Sequence, residues 1–346
     1  MTDNEQNDGK KAKRRLRWWS WAVLVCYALL VLGGAAEVFL RLGPDFGLND
    51  PEERERYYET LKVDPTLFRN RGGLRDRFAG VDVRINQLGL RGPNAHTPKA
   101  PGVYRVLLLG DEKTFGWRVP EEKTYAALLQ KQLDQYFVGK FEVLNAGVPG
   151  YNLTMIAAFL LRFGFMYQPD VVTILLDGAD VVGDEQGPGG YCGSMCQGLA
   201  RYSLLVRSAY LPRRERTRAP YDLNAAIKAK RLFYQIEQTT FRAHVDLFIF
   251  SWAPRDDPLR MLAADALPRP ATWVWARAVD TGAALAKLPR STWRTGVLGD
   301  YPSEEAHALL ARMHLAELTT RAVSFFFVRR DGLPTPRNRR AADEVN

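Results

Sequence analysis

Four acidic residues that could do chemistry stand directly after two predicted β-strands. Asp111 and Glu112 follow one apolar run, and Asp177 and Asp180 follow another. Because the carboxyl ends of parallel strands meet at one edge of a sheet, we expect these carboxylates to lie close together and to suit calcium or magnesium. A structural role is nevertheless favoured over a metal site, because no ligand-loop spacing accompanies these residues. In that interpretation Asp111 and Asp180 make local hydrogen bonds, and Glu112 pairs with Lys113 or another cation.

The elements that must position these side chains follow an alternating pattern from residue 103 onwards. Apolar strands alternate with amphipathic helices, which predicts βαβ units and a parallel sheet. One face of the first such helix carries Tyr125, Leu128, Leu129 and Leu133, behind Thr124 as its amino-terminal cap. Beside the strand at Val103, strands are predicted at 141–144, 171–176 and 245–252, with a shorter candidate at 272–276, and helices at 153–166, 224–240 and 303–318.

The amino terminus combines a basic cluster with a long apolar run. Six Lys and Arg residues lie between Lys10 and Arg17, and the 19 residues from Trp18 to Ala36 contain no charge. This run is long enough to cross about 30 Å of hydrocarbon as a helix. The basic residues on its amino side predict a cytoplasmic amino terminus, with the rest of the chain across the membrane.

A cleaved signal peptide is the alternative for this run, because small residues at 34–36 offer a cleavage site. Glu37 and Arg41 lie four residues apart and could pair on a helix that continues beyond the apolar run. We therefore favour an uncleaved membrane anchor.

Cys192 and Cys196 could form a local disulfide in an oxidising periplasm or remain as free thiols, whereas Cys26 lies in the membrane span.

Five segments are predicted along the chain. The segments are a cytoplasmic basic tail (1–17), a transmembrane helix (18–42), a membrane-proximal stalk that packs on the main domain (43–100), an α/β domain (101–330) and a disordered tail (331–346).

Three sequence blocks carry a resemblance to a known family. They are GDEKTFG at 110–116, NAGVPGYN at 145–152 and DGAD at 177–180. With them, residues 80–320 resemble the SGNH, or GDSL-like, esterases and acyltransferases. The NQLGLRG segment at 86–92 is similar to one that precedes the catalytic domain in membrane-anchored members. This resemblance implies an α/β fold with a three-layer, flavodoxin-like parallel sheet, preceded here by one amino-terminal transmembrane helix.

The resemblance also assigns positions to the catalytic groups of such an esterase. Glu112 stands at the position of the serine nucleophile, and Ala179 at that of the oxyanion-binding asparagine. Tyr301 stands at the position of the histidine base and Leu298 at that of the aspartate that orients it. Gly147 is retained and would supply a backbone donor in active relatives.

These replacements predict a domain without catalytic residues. Loss of a nucleophile or base alone typically lowers turnover on the order of a millionfold. The Glu112 carboxylate is moreover expected to occupy the site itself, near amides that would otherwise hold an oxyanion. A fourth block, GDYPSEEAH at 299–307, carries the Tyr301 position. An alternative register of this block would make Ser303 a nucleophile, with Tyr301 or His307 as its base.

The sequence therefore predicts a single-pass protein of the bacterial inner membrane with a noncatalytic periplasmic domain. Its expected role is that of a structural subunit or scaffold of a membrane protein assembly, or of a binder of an envelope glycan, without a cofactor. The alternative is an acyl-ester hydrolase or O-acetyltransferase acting on cell-envelope polysaccharide. Nucleic acid is not an expected partner despite the net charge of +9. About a third of that charge lies in the first 17 residues, and the main domain is expected on the far side of the membrane.

Overall fold

The computed structural model describes the parts of the chain that carry the anchor, the sheet and the helices around it. The described residues are 3–43, 48, 53, 56–61, 64–138, 140–182, 202–208, 223–252, 276–285, 287–289, 301–326 and 335–336. The predicted cysteine pair Cys192 and Cys196 and the predicted site residue Leu298 lie outside them.

The helices and strands of the described residues are numbered in chain order. The α-helices are α1 (Asp3–Leu42), α2 (Glu112–Phe115), α3 (Tyr125–Tyr136), α4 (Leu153–Arg162), α5 (Gly178–Val182), α6 (204–208), α7 (Leu223–Arg242), α8 (Gly282–Leu285) and α9 (Glu304–Phe326). The strands are β1 (Tyr58–Leu61), β2 (Asp64–Asn70), β3 (Arg75–Phe78), β4 (Val81–Arg84), β5 (Val103–Gly110), β6 (Phe137–Val138), β7 (Lys140–Gly147), β8 (Val171–Leu176), β9 (Asp246–Ser251), β10 (Ala276–Asp280) and β11 (Thr335–Pro336).

Helix α1 contains the apolar run. Its part Trp18–Leu42 contains an 18-residue stretch with a mean hydropathy of 2.3. Among the described residues, this part is long and apolar enough to cross a membrane. This agrees with the predicted single-pass anchor. The basic residues before Trp18 continue the same helix, so the described part of the predicted tail is helical.

The chain divides into two units. The first comprises Met1–Leu48 with Cys192–Arg216, and the second comprises Asn49–Tyr191 with Thr217–Asn346. In the first unit the predicted Glu37–Arg41 ion pair is present, at 2.9 Å between Nε and Oε1. The Glu37 carboxylate also accepts the Leu204 and Leu205 amides at 3.0 Å each, so it caps the short helix α6.

The second unit is built on a parallel sheet with the strand order β10-β9-β8-β5-β7. Every neighbouring pair in it is parallel. Counted from β5 as the first strand along the chain, this is the 2-1-3-4-5 order of flavodoxin-like folds, and the predicted sheet is confirmed. The order reverses between β5 and β8, where a site is expected at the carboxyl ends of both strands.

Both faces of the sheet are covered, which makes three layers. Leu107 and Leu109 of β5 belong to one apolar cluster with residues of α4 and α7. Val106 and Leu108 belong to a second cluster with residues of α3 and α9. This alternation explains why β5 is an uninterrupted apolar run in the sequence.

The segment before β5 contributes to the first of these clusters. Tyr57, Phe68 and Phe78 are fully buried there. The Tyr57 ring stacks at 5.6 Å on Phe115 and at 5.6 Å on Trp117, so aromatic residues of this segment support the turn that follows β5.

Several element boundaries differ from the prediction. Helix α4 ends at Arg162 because a 3₁₀ turn, Gly164–Tyr167, replaces its predicted last turn. Helix α9 continues to Phe326 instead of ending near residue 318. Strand β10 begins at Ala276, the last residue of the predicted strand, and residues 272–275 lie outside the described part. In the predicted tail, β11 pairs with β6, and the other residues after 330 lie outside the described part.

Candidate functional site

The turn after β5 brings helix α2 very close to the sheet. A Cβ atom on Gly110 would lie 2.1 Å from Thr114 Oγ1 and 2.8 Å from the Leu175 carbonyl oxygen. A Cβ atom on Gly147 would lie 2.2 Å from the Phe115 amide nitrogen. Side chains at these two positions would push α2 away, so both glycines are required for the geometry of the turn.

A buried lysine lies at the centre of the acidic cluster. Lys113 Nζ lies 2.5 Å from Asp111 Oδ2 and 2.9 Å from Asp177 Oδ2. Asp111 also caps α2, because its Oδ1 accepts the Lys113 amide at 2.9 Å. Asp177 and Asp180 exchange hydrogen bonds between amides and carboxylates at 2.8 and 3.0 Å. The aspartates thus make the local hydrogen bonds of the structural alternative, and the ammonium group neutralises part of their charge.

The cluster has strongly perturbed acid–base properties. Burial raises the pKa of Asp111 to about 7 against the effect of Lys113, and Glu112 and Asp177 add to the rise. Burial and the charges of Asp111 and Asp177 hold the pKa of Asp180 well above its usual range. The pKa of Lys113 is raised well above its usual value because the surrounding carboxylates outweigh burial. Near neutral pH, Lys113 is therefore an ammonium, and Asp180 holds a proton more readily than an ordinary aspartate does.

Three of the four predicted metal ligands come together here. Asp111, Asp177 and Asp180 each offer an oxygen, and these oxygens lie within 4.8 Å of one another. The fourth, Glu112, accepts a hydrogen bond from Gly150 instead. The Lys113 ammonium binds two of the three aspartates and supplies, from within the chain, part of the positive charge that a metal ion would supply.

Glu112 points its carboxylate at the second sequence block. Its Oε2 accepts the Gly150 amide at 3.0 Å. This places a negatively charged group, held by a backbone donor, at the position that the family resemblance gives to a serine hydroxyl. A carboxylate of this kind repels a developing oxyanion instead of stabilising it.

The other predicted site positions are engaged or lack a donor. The Gly147 amide donates to Asn145 Oδ1 at 3.1 Å, and so it bonds within its own block. Ala179 lies in α5 and has no polar side-chain atom. Tyr301 is only 9% exposed and belongs to the same apolar cluster as Leu176 and Val181.

Residues of the segment before β5 form hydrogen bonds with the second sequence block, 145–152. Asn70 Nδ2 donates to the Gly147 carbonyl oxygen at 3.0 Å. The Tyr58 hydroxyl donates to the Pro149 carbonyl oxygen, and the Tyr151 hydroxyl donates to that of Phe68. The loop that offers its amide to Glu112 is therefore fixed by hydrogen bonds from β1 and β2.

Arg91 fixes the end of α2. It is 4% exposed, and its guanidinium donates to the carbonyl oxygens of Phe115, Gly116 and Val119 at 2.9, 2.5 and 2.6 Å. Burial lowers the pKa of Arg91 to about 10, which leaves it charged at neutral pH. It thus binds the turn that carries Glu112 and Lys113, a role that the NQLGLRG segment alone did not reveal.

His307 is a fully buried residue of α9 that contacts α3. Its Nδ1 accepts the Tyr125 amide at 3.1 Å, and its ring stacks on that of Tyr125. Burial and the Arg91 charge lower the pKa of His307 to about 3. Ser303 Oγ accepts the Ala306 amide at 3.3 Å and so caps α9, which is the half capping box that the sequence contains.

Sequence reasoning did not place Lys113 among the aspartates. The available signal was the spacing Asp111-x-Lys113 at a tight turn, where the Lys113 side chain can fold back over the turn to the Asp111 carboxylate. Lys113 pairs with Asp111 and Asp177 instead of with Glu112, the partner considered for it in the sequence analysis.

No protein-family model and no curated protein matches the sequence. Solved structures that resemble the chain include a lipolytic protein of the G-D-S-L family from Desulfitobacterium hafniense (13% identity, TM-score 0.38, 61% of this chain and 97% of that one). A lipase/acylhydrolase from Enterococcus faecalis matches with 14% identity and a TM-score of 0.39, over 63% of this chain and 96% of that one. An acetylxylan esterase from Geobacillus stearothermophilus matches with 16% identity and a TM-score of 0.38, over 62% and 94%. These are the kind of protein that the sequence blocks resemble, and at such identities and TM-scores the matches concern the fold alone.

Proposed function

We propose that the chain is a membrane-anchored SGNH-hydrolase-like protein whose α/β domain does not catalyse. It serves as a structural subunit or scaffold of a membrane protein assembly, or as a binder of an envelope glycan. Helix α1 anchors it in the bacterial inner membrane, with the amino terminus in the cytoplasm and the domain in the periplasm. The observation that carries the proposal is the Glu112 carboxylate, bound to the Gly150 amide where a serine nucleophile would stand.

The residues that could replace the lost catalytic groups support the same conclusion. A general base must reach the proton of its nucleophile. His307 uses Nδ1 for the Tyr125 amide, and its low pKa makes it a weak base. Ser303 uses its hydroxyl oxygen to cap α9. The described contacts therefore do not favour Ser303 and His307 as a nucleophile–base pair for the hydrolase alternative.

A direct test is ester hydrolysis by the full chain purified in mild detergent. We expect no turnover of p-nitrophenyl acetate above buffer and no labelling by a fluorophosphonate. Stoichiometric labelling would contradict the proposal, and its loss in Ser303→Ala would then identify that serine as nucleophile.

The matched positive control restores the replaced positions. A variant with Glu112→Ser, Ala179→Asn, Leu298→Asp and Tyr301→His should gain weak esterase activity if the replacements are what abolished it. Circular dichroism would report whether this variant folds. A folded variant without any activity would contradict the assignment of these positions.

Co-purification tests the assembly role. Extraction from native membranes in mild detergent should yield the chain with a stoichiometric membrane protein. A monodisperse monomer would contradict this role, and binding of purified envelope polysaccharide to the same preparation would then favour the glycan-binding role.

A further inference from the structure

Helix α7 presents an outward face that the proposed function does not use. Ile227, Tyr234 and Phe241 follow one another every seven residues and so share one stripe of the helix. These three side chains are 42%, 60% and 43% exposed, although they are apolar or aromatic.

The opposite face of α7 anchors the helix in the domain. Ala229, Phe233 and Ile236 are at most 2% exposed and belong to the apolar cluster on one side of the sheet. Helix α7 packs there against α4, α5 and β9. The exposed stripe therefore points away from the core, and packing of the core does not account for its apolar and aromatic side chains.

Basic residues flank the stripe. Lys228, Lys230, Arg231 and Arg242 are exposed, and the half-buried Glu237 is the one acidic residue in the sequence of α7. A helix face that combines aromatic and aliphatic side chains with lysine and arginine is typical of helices that lie at the surface of anionic membranes. Each basic residue near such a surface adds electrostatic attraction.

We propose that this face of α7 binds the anionic lipid headgroups of the membrane in which α1 is anchored. Only 14 residues separate Leu42 at the end of α1 from Tyr57 in the domain core. Even fully extended, this connection spans about 50 Å. The tether keeps lipid headgroups at a high effective concentration near α7, so weak contacts suffice for docking. The inference holds whether or not the domain is catalytic.

Hydroxyl-radical footprinting of the full chain in nanodiscs tests this proposal on native side chains. One set of nanodiscs contains phosphatidylcholine alone, and the other contains one part phosphatidylglycerol to two parts phosphatidylcholine. Oxidation of Tyr234 and Phe241 should fall at least about threefold in the anionic nanodiscs at low salt and recover at high salt. Oxidation of Tyr136 on α3 should not change.

Two matched double variants separate this face from general charge effects. Lys230→Glu with Arg231→Glu should abolish the protection, whereas Lys131→Glu with Arg312→Glu, exposed on α3 and α9, should leave it intact. Co-elution with nanodiscs reports on α1 separately, so failure of the anchor and failure of docking are distinguishable.

Three outcomes would overturn the proposal. The first is equal oxidation in neutral and anionic nanodiscs. The second is protection that survives the charge reversal on α7. The third is protection that appears only in native membranes or only with two chains per nanodisc, which would identify a partner protein or a second copy as the occupant.

Discussion

The carboxyl ends of β5 and β8 and the inner face of α9 both bury ionisable side chains, but they compensate for lost hydration differently. At the strand ends, Asp111 and Asp177 share the ammonium of Lys113, so charge is balanced by charge. On α9, His307 and His314 are fully buried and stay uncharged, in contact with the ring of Tyr125. His314 also stacks on Phe250, with ring centroids 3.7 Å apart.

This difference gives the two regions opposite responses to acid. The pKa of Asp111 is raised to about 7 in the folded chain, so its protonated form contributes stability below its unfolded pKa near 4, and this contribution is lost as the pH rises through 7. Burial lowers the pKa of His307 to about 3 and that of His314 to about 4. The histidines therefore contribute stability above pH 6.5, and this is lost as the pH falls towards 3 or 4.

The largest expected effect comes from removing the internal cation. Lys113→Met leaves buried carboxylates without their counter-ion and should lower the free energy of unfolding at pH 7.5 by about 3 to 5 kcal/mol. Denaturant titration of the full chain in detergent measures it. Lys131→Met, on the exposed side of α3, is the control and should change stability by less than about 0.5 kcal/mol.

The pH dependence of that loss shows whether charge is the cause. At pH 5 the aspartates of the Lys113→Met variant hold more protons, so the deficit should shrink. An equal deficit at both pH values would indicate lost packing of the lysine stem and would contradict the counter-ion role.

The second effect belongs to the histidines. Between pH 7 and 4.5 each buried histidine should cost the fold about 2 to 3 kcal/mol, because the unfolded chain binds the protons that the folded chain excludes. His314→Phe keeps the ring stack on Phe250. It should reduce the loss of unfolding free energy between pH 7 and 4.5 by the contribution of one histidine. His96→Gln, at an exposed position, is the matched control. A His314→Phe variant that is as acid-sensitive as the parent would refute the neutral-burial interpretation.

The sequence pattern predicted the strand-end region better than the α9 region. Periodicity and strand order suffice to bring Asp111 and Asp177 to one edge, because parallel strands end together. The bond from the Tyr125 amide to His307 joins residues 182 positions apart and depends on how α3 packs on α9. No local spacing encodes that packing, so the burial of both histidines was not predicted.

The direction of the Lys113 side chain was missed for a related reason. In a strand-to-helix turn, the partner of a side chain depends on how closely the helix approaches the sheet. Here Gly110 and Gly147 allow α2 to lie against β5 and β7, a contact visible only when both blocks are placed together. The cap residues Thr124 and Ser303 were predictable because their partners lie three residues away.

The smallest expected effect comes from removing the amino-terminal cap of α9, and it tests whether the stability of this helix end depends on histidine burial. Ser303→Ala removes the cap of α9 and should lower the free energy of unfolding by about 1 kcal/mol. The Ser303 hydroxyl does not titrate, so the loss should be the same at pH 7 and pH 4.5 in denaturant titrations. Ser303→Asp, which retains a capping oxygen, should recover most of the stability at pH 7. The His307 amide donates to the Ser303 carbonyl oxygen at 2.9 Å, so fraying of the first turn of α9 would admit water to the His307 ring. A Ser303→Ala variant whose stability falls more steeply with acid would therefore show that the cap helps to keep His307 neutral.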